Sequence, residues 1–233
     1  MITVCWSVKG GSGVTVTSTA LALLRARAST TPVLLVDPSG DAATVLGGGP
    51  HVSDSAGLHD WFAADESVSS ASLAQLIVEG PGGLQILPTG RTSWSSPPSM
   101  DRVAGFTGWL ESWPGDVIVD LGADSFMRRA LLEVADESLL VLRCCYLAGQ
   151  AALRSERANG IILIEEPGRM LSLLDLSAAL ATPVVARIPL DISIANAVDS
   201  GSLSVRLPRP LARSLRPLIA PRNERTLRLD RAA

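Results

Sequence analysis

The stretch Ile2–Leu24 reads ITVCWSV, KGGSGVTVT and STALALL in succession, and its interpretation decides the fold. The first run is apolar and β-branched, the pattern of a buried strand. The second is a glycine-rich turn carrying Gly10, Gly11 and Gly13. The third is rich in alanine and leucine, which favours helix. Strand, glycine loop and helix in that order make an anion site, because the loop amides and the open helix N-terminus present their N–H groups to one point. The usual phosphate loop closes on Gly-Lys-Ser/Thr. Here Val14 follows Gly13, Thr15 comes next, and the lysine stands in front as Lys9. Lys9 is the only lysine in the chain; every other cationic side chain is an arginine. A glycine turn opening a helix also occurs in α/β proteins that bind no phosphate, and that alternative stands beside the phosphate-loop reading.

KGGSGVT resembles the deviant Walker A motif of the ParA/MinD family, K-G-G-x-G-K-[ST]. Lys9, Gly10, Gly11, Gly13 and Thr15 match it, and Val14 replaces the lysine that reaches the β- and γ-phosphates. The resemblance implies ATP held by Lys9, Gly10, Gly11, Ser12, Gly13, Val14, Thr15 and Val16. It implies Mg2+ held by Thr15 and Asp120, and catalytic roles for Lys9 and Asp37. In the family the front lysine reaches across a dimer into the partner's nucleotide site, which is the role implied for Lys9.

Composition bounds the rest. A chain of 233 residues with 47% hydrophobic content fits one large α/β domain with a sizeable core. No 18-residue apolar run occurs and no basic leader precedes the first strand, so a cytoplasmic protein is expected. The three cysteines, Cys5, Cys144 and Cys145, have neither disulfide nor metal-ligand spacing and read as structural. Charge is uneven. Residues 205–233 hold eight arginines and two acids, hence +6; the net charge of −3 leaves −9 on the remainder. Such a tail is either a solvated terminus or a contact for anionic lipid or nucleic acid.

Strand-like runs recur along the chain. PVLLVD (32–37) ends in Asp37, at the carboxyl end of a strand, where open α/β sheets bind ligands. Asp is also a common turn cap. DPSGD resembles the family segment around its own aspartates, with Gly40-Asp41 nearer to the CpaE/TadZ branch. Residues 53–79 read as helical, and His51 and His59 as surface or capping residues. GLQILP (83–88) is a third strand, and the Ser/Pro-rich loop 89–99 carries Trp94. Residues 100–111 form a helix, and DVIVD (116–120) is a strand ending in Asp120, similar to the family's Walker-B-like strand. Residues 128–135 are helical, 138–146 a strand, 150–158 a helix, 160–164 a strand and 183–189 a last strand. After the sixth strand the family often has Asn-Arg, whose Asn reads adenine; Glu165-Glu166-Pro167 stands here. IPLD and IANAVDSG are similar to the family's closing motifs. A helix packing on the sheet and an arginine tail follow.

The expected architecture is one doubly wound, mainly parallel sheet of about seven strands with helices on both faces, the P-loop NTPase build. Residues 1–205 form the domain, and 206–233 a basic C-terminal helix and tail. The resemblance implies a CpaE/TadZ-type dimeric organiser with a degenerate P-loop, positioning a pilus or another envelope-linked machine. It implies protein partners and a location in the cytoplasm, at the inner face of the membrane or at a cell pole. The alternative is an active ATPase switch for chromosome partitioning or septum placement. The two separate at Val14, since phosphoryl transfer needs positive charge on the β/γ bridge and valine supplies none.

Overall fold

The computed structural model describes residues 1–47, 55–93, 97–123, 126–168 and 173–219. In chain order the main elements are β1 (Ile2–Trp6), α1 (Val14–Ala28), β2 (Val33–Val36), α2 (Ala42–Leu46) and α3 (Leu58–Ala63). There follow β3 (Val78–Glu79), β4 (Leu84–Leu87), α4 (Met100–Glu111), β5 (Asp116–Gly122), α5 (Arg128–Glu133) and β6 (Glu137–Arg143). The chain continues with α6 (Tyr146–Ala152), β7 (Gly160–Glu165), α7 (Leu173–Leu180), β8 (Val184–Pro189), α8 (Ile192–Asp199) and α9 (Arg209–Leu215).

One sheet runs in the order β3-β4-β2-β5-β1-β6-β7-β8. Every neighbouring pair is parallel except β3 with β4. β1 therefore lies inside the sheet, between β5 and β6, with its carboxyl end opening into the glycine loop. Parallel strands are covered on both faces, which is why VLLV, VIV and LLVL read as unbroken apolar runs. Pleating still sorts their side chains. Ile2, Val4 and Trp6 face a core shared with α3, α4, α5 and α6, while Cys5 faces one shared with α1, α2, α8 and α9.

Several sequence-level boundaries shift. Val78–Glu79 is an eighth strand, antiparallel to β4, within a segment that the sequence reads as helical. Two residues are too few to carry a period, and the pairing is set by the turn at Gly80, whose N–H donates to Leu84 O at 2.7 Å. The helical content of that segment is limited to α3 and a 3-10 stretch, Ser70–Leu76. β6 ends at Arg143, so Cys144 and Cys145 sit just beyond the strand, and α6 starts at Tyr146, earlier than residue 150. His59 is buried against the loop after β4, near Thr89 and Thr92, and is not a surface residue. His51, Trp94 and the tail from residue 220 lie outside the described residues. α9 packs on β8 and α1 through Leu211, Leu215 and, just beyond it, Leu218.

Two constraints hold α1 in place. At its start Gly13 has φ +84, a left-handed conformation in which a side chain is strained. Near its end Arg25 is buried and fully engaged. Nε and Nη2 donate to Leu218 O at 3.1 and 3.0 Å, Nη1 to Thr3 Oγ1 at 2.9 Å, and Nη2 meets Glu137 Oε2 at 3.3 Å. One guanidinium thus joins α1, β1, β6 and the C-terminal segment. Nothing in the local sequence marks it, since Arg25 sits in a helix beside an ordinary Arg27. Removing one partner of a buried ion pair leaves the other charged and unsatisfied, at a cost of about 3–5 kcal/mol. Arg25→Ala is expected to lose that much in urea unfolding. The double replacement Arg25→Met with Glu137→Leu should lose clearly less, because neither charge is then stranded.

Candidate functional site

The glycine loop sits at the carboxyl end of β1, beside the ends of β5, β2 and β6, the crevice side of an open parallel sheet. Its backbone is held from below. Ser12 Oγ donates to Lys9 O at 2.8 Å, Ser7 Oγ donates to the same carbonyl, and Lys9 N donates to Ser7 Oγ at 3.1 Å. Lys9, Gly10 and Gly11 are exposed, while Ser12 is buried. A Cβ placed on Gly10 or Gly11 would meet open space. The first turn of α1 carries no acidic residue, and no side chain caps it. Among the described residues the amides of Gly11, Ser12 and Gly13 have no hydrogen-bond partner, so the loop offers N–H groups at the positive end of a fifteen-residue helix.

Val14 is 6% exposed and belongs to the core on the α1 side of the sheet, and Val16 packs against the same core. Both can act toward a ligand only through their backbone. No cation issues from the first turn of α1. Arg128 lies close by: its Nη2 donates to Ser7 O and Ala123 O, and its guanidinium stands 5.3 Å from the centre of the Trp6 ring. It ties the start of the glycine loop to the segment after β5, a role that the sequence did not signal.

Below the loop are two buried carboxylates. Asp37 follows β2 and accepts from Ser39 Oγ (3.0 Å), Gly40 N (2.8 Å) and Ala42 N (3.0 Å). It therefore caps the turn and the start of α2. Asp120 on β5 is completely buried; its Oδ2 meets Ser39 Oγ at 2.6 Å, and its Oδ1 has no hydrogen-bond partner. Ser39 joins the two, but one hydroxyl carries one proton and donates to one carboxylate at a time. Burial, and then the charge of Asp37, push the Asp120 pKa up to about 7 against the opposing effect of the Ser39, Thr15 and Ser18 hydroxyls. Burial likewise raises Asp37. Near neutrality a proton on Asp120 can donate to Ser39, which in turn donates to Asp37. Ser39 was missed in the sequence, where it reads only as part of a Pro-Ser-Gly turn.

The orphaned, buried Asp120 Oδ1, with the Thr15 hydroxyl close enough to lower its pKa, is a donor set that fits magnesium: hard oxygens, one of them unsatisfied. Asp37 is engaged by two backbone amides and by the Ser39 hydroxyl, and fits a structural or orienting role better than direct ligation. On the other side of the loop, Ile164 lies 3.9 Å from a Cβ placed on Gly13. The acids that follow are ion-paired, Glu165 with Arg187 and Glu166 with Arg143. No amide that could donate and accept together stands at that point.

No protein-family profile matches the sequence, and no curated protein matches it. The fold is that of the ParA/MinD P-loop NTPases. A ParA family ATPase from Chlorobium tepidum has a TM-score of 0.76 at 21% identity, over 94% of this chain and 96% of that one. The septum site-determining protein MinD from Pyrococcus horikoshii, in complex with Mg-ADP, has a TM-score of 0.73 at 20% identity, over 92% and 93%. MinD from Aquifex aeolicus, in complex with MinC, has a TM-score of 0.71 at 18% identity, over 94% and 95%.

The Asp120 carboxyl predicts a pH dependence. Its pKa is about 7 in the folded chain against an ordinary 3.8, so the folded state holds the proton more tightly. The resulting stability is complete below about pH 4 and is lost as pH rises through about 7. At roughly 1.4 kcal/mol per pKa unit, the loss is on the order of 4 kcal/mol. Without magnesium, urea unfolding from about pH 4 to pH 8 should show this fall in the wild type relative to Asp120→Asn, whose side chain does not titrate. Curves that run parallel would contradict the placement of the carboxyl.

Proposed function

We propose that the protein is a nucleotide-responsive spatial organiser of the ParA/MinD kind, closest to the CpaE/TadZ branch, with a degenerate phosphate loop. One observation carries the reading: the amide cradle and the Thr15–Asp120 pair are kept, while Val14, at the position of the phosphate lysine, is sunk into the core. On this reading the loop Lys9–Val16 binds the phosphates of ATP through backbone N–H groups. Thr15 and Asp120 hold the magnesium ion, which would supply the positive charge that the missing lysine does not. Lys9 is exposed at the front of the loop and reaches a phosphate across a dimer. Asp37, buried and engaged, holds the turn over the site and orients groups within it.

Dimerisation is supported by the surface beside the loop. Phe126, Tyr146 and Leu147 are each more than 60% exposed, on segments that follow β5 and β6, the two neighbours of β1. Exposed apolar groups on segments that leave neighbouring strands at the same end of the sheet are suited to an interaction face. The dimer acts as a scaffold that places a pilus or other envelope-linked machine through protein partners. No helix of the described residues is long and apolar enough to cross a membrane, and the proposed location is the cytoplasm, with recruitment to the inner face of the membrane or to a pole. The basic segment 206–233 is proposed to add a contact for anionic lipid or nucleic acid.

Calorimetric titration with ATP and ADP in the presence of magnesium, paired with light scattering of the bound state, tests the core of the reading. Saturable binding is expected, with turnover about 100- to 1,000-fold below that of a loop with its lysine. A turnover rate like that of an ordinary ATPase, abolished by Asp37→Ala, would instead favour an active partition or septum switch. No binding of either nucleotide would remove the reading altogether.

Lys9→Ala gives a separate test. It is expected to abolish the nucleotide-dependent dimer while leaving the fold intact, since the side chain is exposed. A variant that dimerises with ATP as well as the wild type shows that Lys9 does not act across the interface.

A further inference from the structure

Arg102, in the first turn of α4, is a buried cation with no ion-pair partner among the described residues. It is 7% exposed. Its guanidinium carbon lies 3.6 Å from the centre of the Trp61 ring, and this stacking fixes the plane of the group. Nη1 donates to Val68 O at 2.7 Å. Nε and Nη2 are buried and donate to no group among the described residues. These two nitrogens form one edge of the planar fork, with parallel N–H groups that match the two oxygens of a carboxylate or phosphate. Unsatisfied buried donors are rare and costly, and a charged pair of them more so.

Arg102 lines two clefts. One, of about 350 Å3, is walled by His59, Phe62, Thr92 and Pro98. The other, of about 310 Å3, is walled by Trp61, Val68 and Ser70. Glu66 and Ser99 line both. Burial pulls the Arg102 pKa below the usual guanidinium value against the opposing charges of Glu66 and Asp65, neither of which pairs with it among the described residues. The clefts share no lining residue with the glycine loop.

We propose that this is a binding site for a small organic anion, a carboxylate or a phosphate monoester. Its two oxygens take Nε–H and Nη2–H of Arg102, and its apolar part lies against Phe62 and Pro98. The volumes sit at the lower end of those that hold small ligands, which favours a compact molecule over a chain segment. Neither nitrogen is open to water in the resting arrangement, so a side chain at the cleft wall turns aside when the ligand binds. Glu66 lines both clefts beside Arg102, and its carboxylate repels an incoming anion, so it is the group assigned to turn outward. The site is independent of nucleotide binding and adds a second input to the protein.

The test uses the full chain and calorimetric titration with benzoate, phenyl phosphate and inorganic phosphate at matched ionic strength, with benzyl alcohol as the uncharged control. Saturable binding of benzoate or phenyl phosphate at one site per chain is expected, and the stronger of the two tells carboxylate from phosphate. Binding of inorganic phosphate alone would overturn the apolar half of the proposal. Glu66→Gln should tighten binding several-fold. Arg102→Lys keeps the charge and loses the fork, and should weaken binding at least tenfold. Should that variant not fold, the Glu66→Gln and benzyl alcohol arms still decide. No saturable binding in the wild type and in Glu66→Gln, equal binding of benzyl alcohol, or unchanged binding in a folded Arg102→Lys would each overturn the site.

Discussion

The Arg25 guanidinium, closed inside the protein by Thr3, Glu137 and the carbonyl of Leu218, is the interaction on which the rest of the structure depends. It holds the late turns of α1 against β1 and β6 and receives the C-terminal segment on the same group. The left-handed Gly13 fixes the other end of the helix. Held at both ends, α1 cannot slide along the sheet, and the direction in which its first amides point is set. A phosphate loop without such anchoring would present its N–H groups to no fixed point, and a preorganised cradle is what makes a helix N-terminus an anion site. The buried pair contributes geometry in this way even if its net contribution to stability is small.

The same end of the sheet gathers negative charge beneath that cradle. Asp37 and Asp120 come from strands either side of the β2–β5 pairing, and Ser39 lies between them. Two carboxylates in a dry site cannot both ionise cheaply. Burial raises both, but three donors offset part of the cost at Asp37, whereas Asp120 is pushed up to about 7 and keeps one oxygen without a hydrogen-bond partner. That imbalance is what a cation would relieve, and it separates two acids that look alike in the sequence.

Position 14 shows how one turn can serve the fold whatever side chain follows it. The glycines, with Gly13 in the left-handed region, make the turn, and the turn is needed for the fold because β1 must pass into α1 at the carboxyl end of the sheet. The side chain at position 14 is under no such need. Here it fills the core between α1 and the sheet instead of reaching toward a phosphate. Beside the loop, Glu165 and Glu166 are likewise taken up by ion pairs, with Arg187 and Arg143.

The sequence by itself determined the class of architecture. Seven apolar runs alternating with helical segments admit little but a parallel sheet covered on both faces, and the glycine loop placed the candidate site at the end of β1. It also drew attention to Lys9, Asp37 and Asp120 as candidates, because a lone lysine at a glycine turn and acids at strand ends are local signals, while Thr15 entered only through the resemblance of the loop to a family motif. The eighth strand escaped it, since Val78–Glu79 is defined by its partner β4 and not by any period of its own. Only the tertiary structure decided which of these side chains meet. Ser39 bridges acids 83 positions apart along the chain. Arg25 and Arg102 look like surface arginines in their helices, and burial by elements remote in sequence turns one into an anchor and leaves two nitrogens of the other enclosed without a partner among the described residues. Periodicity reports which face of an element is apolar; it cannot report which polar group that face will enclose.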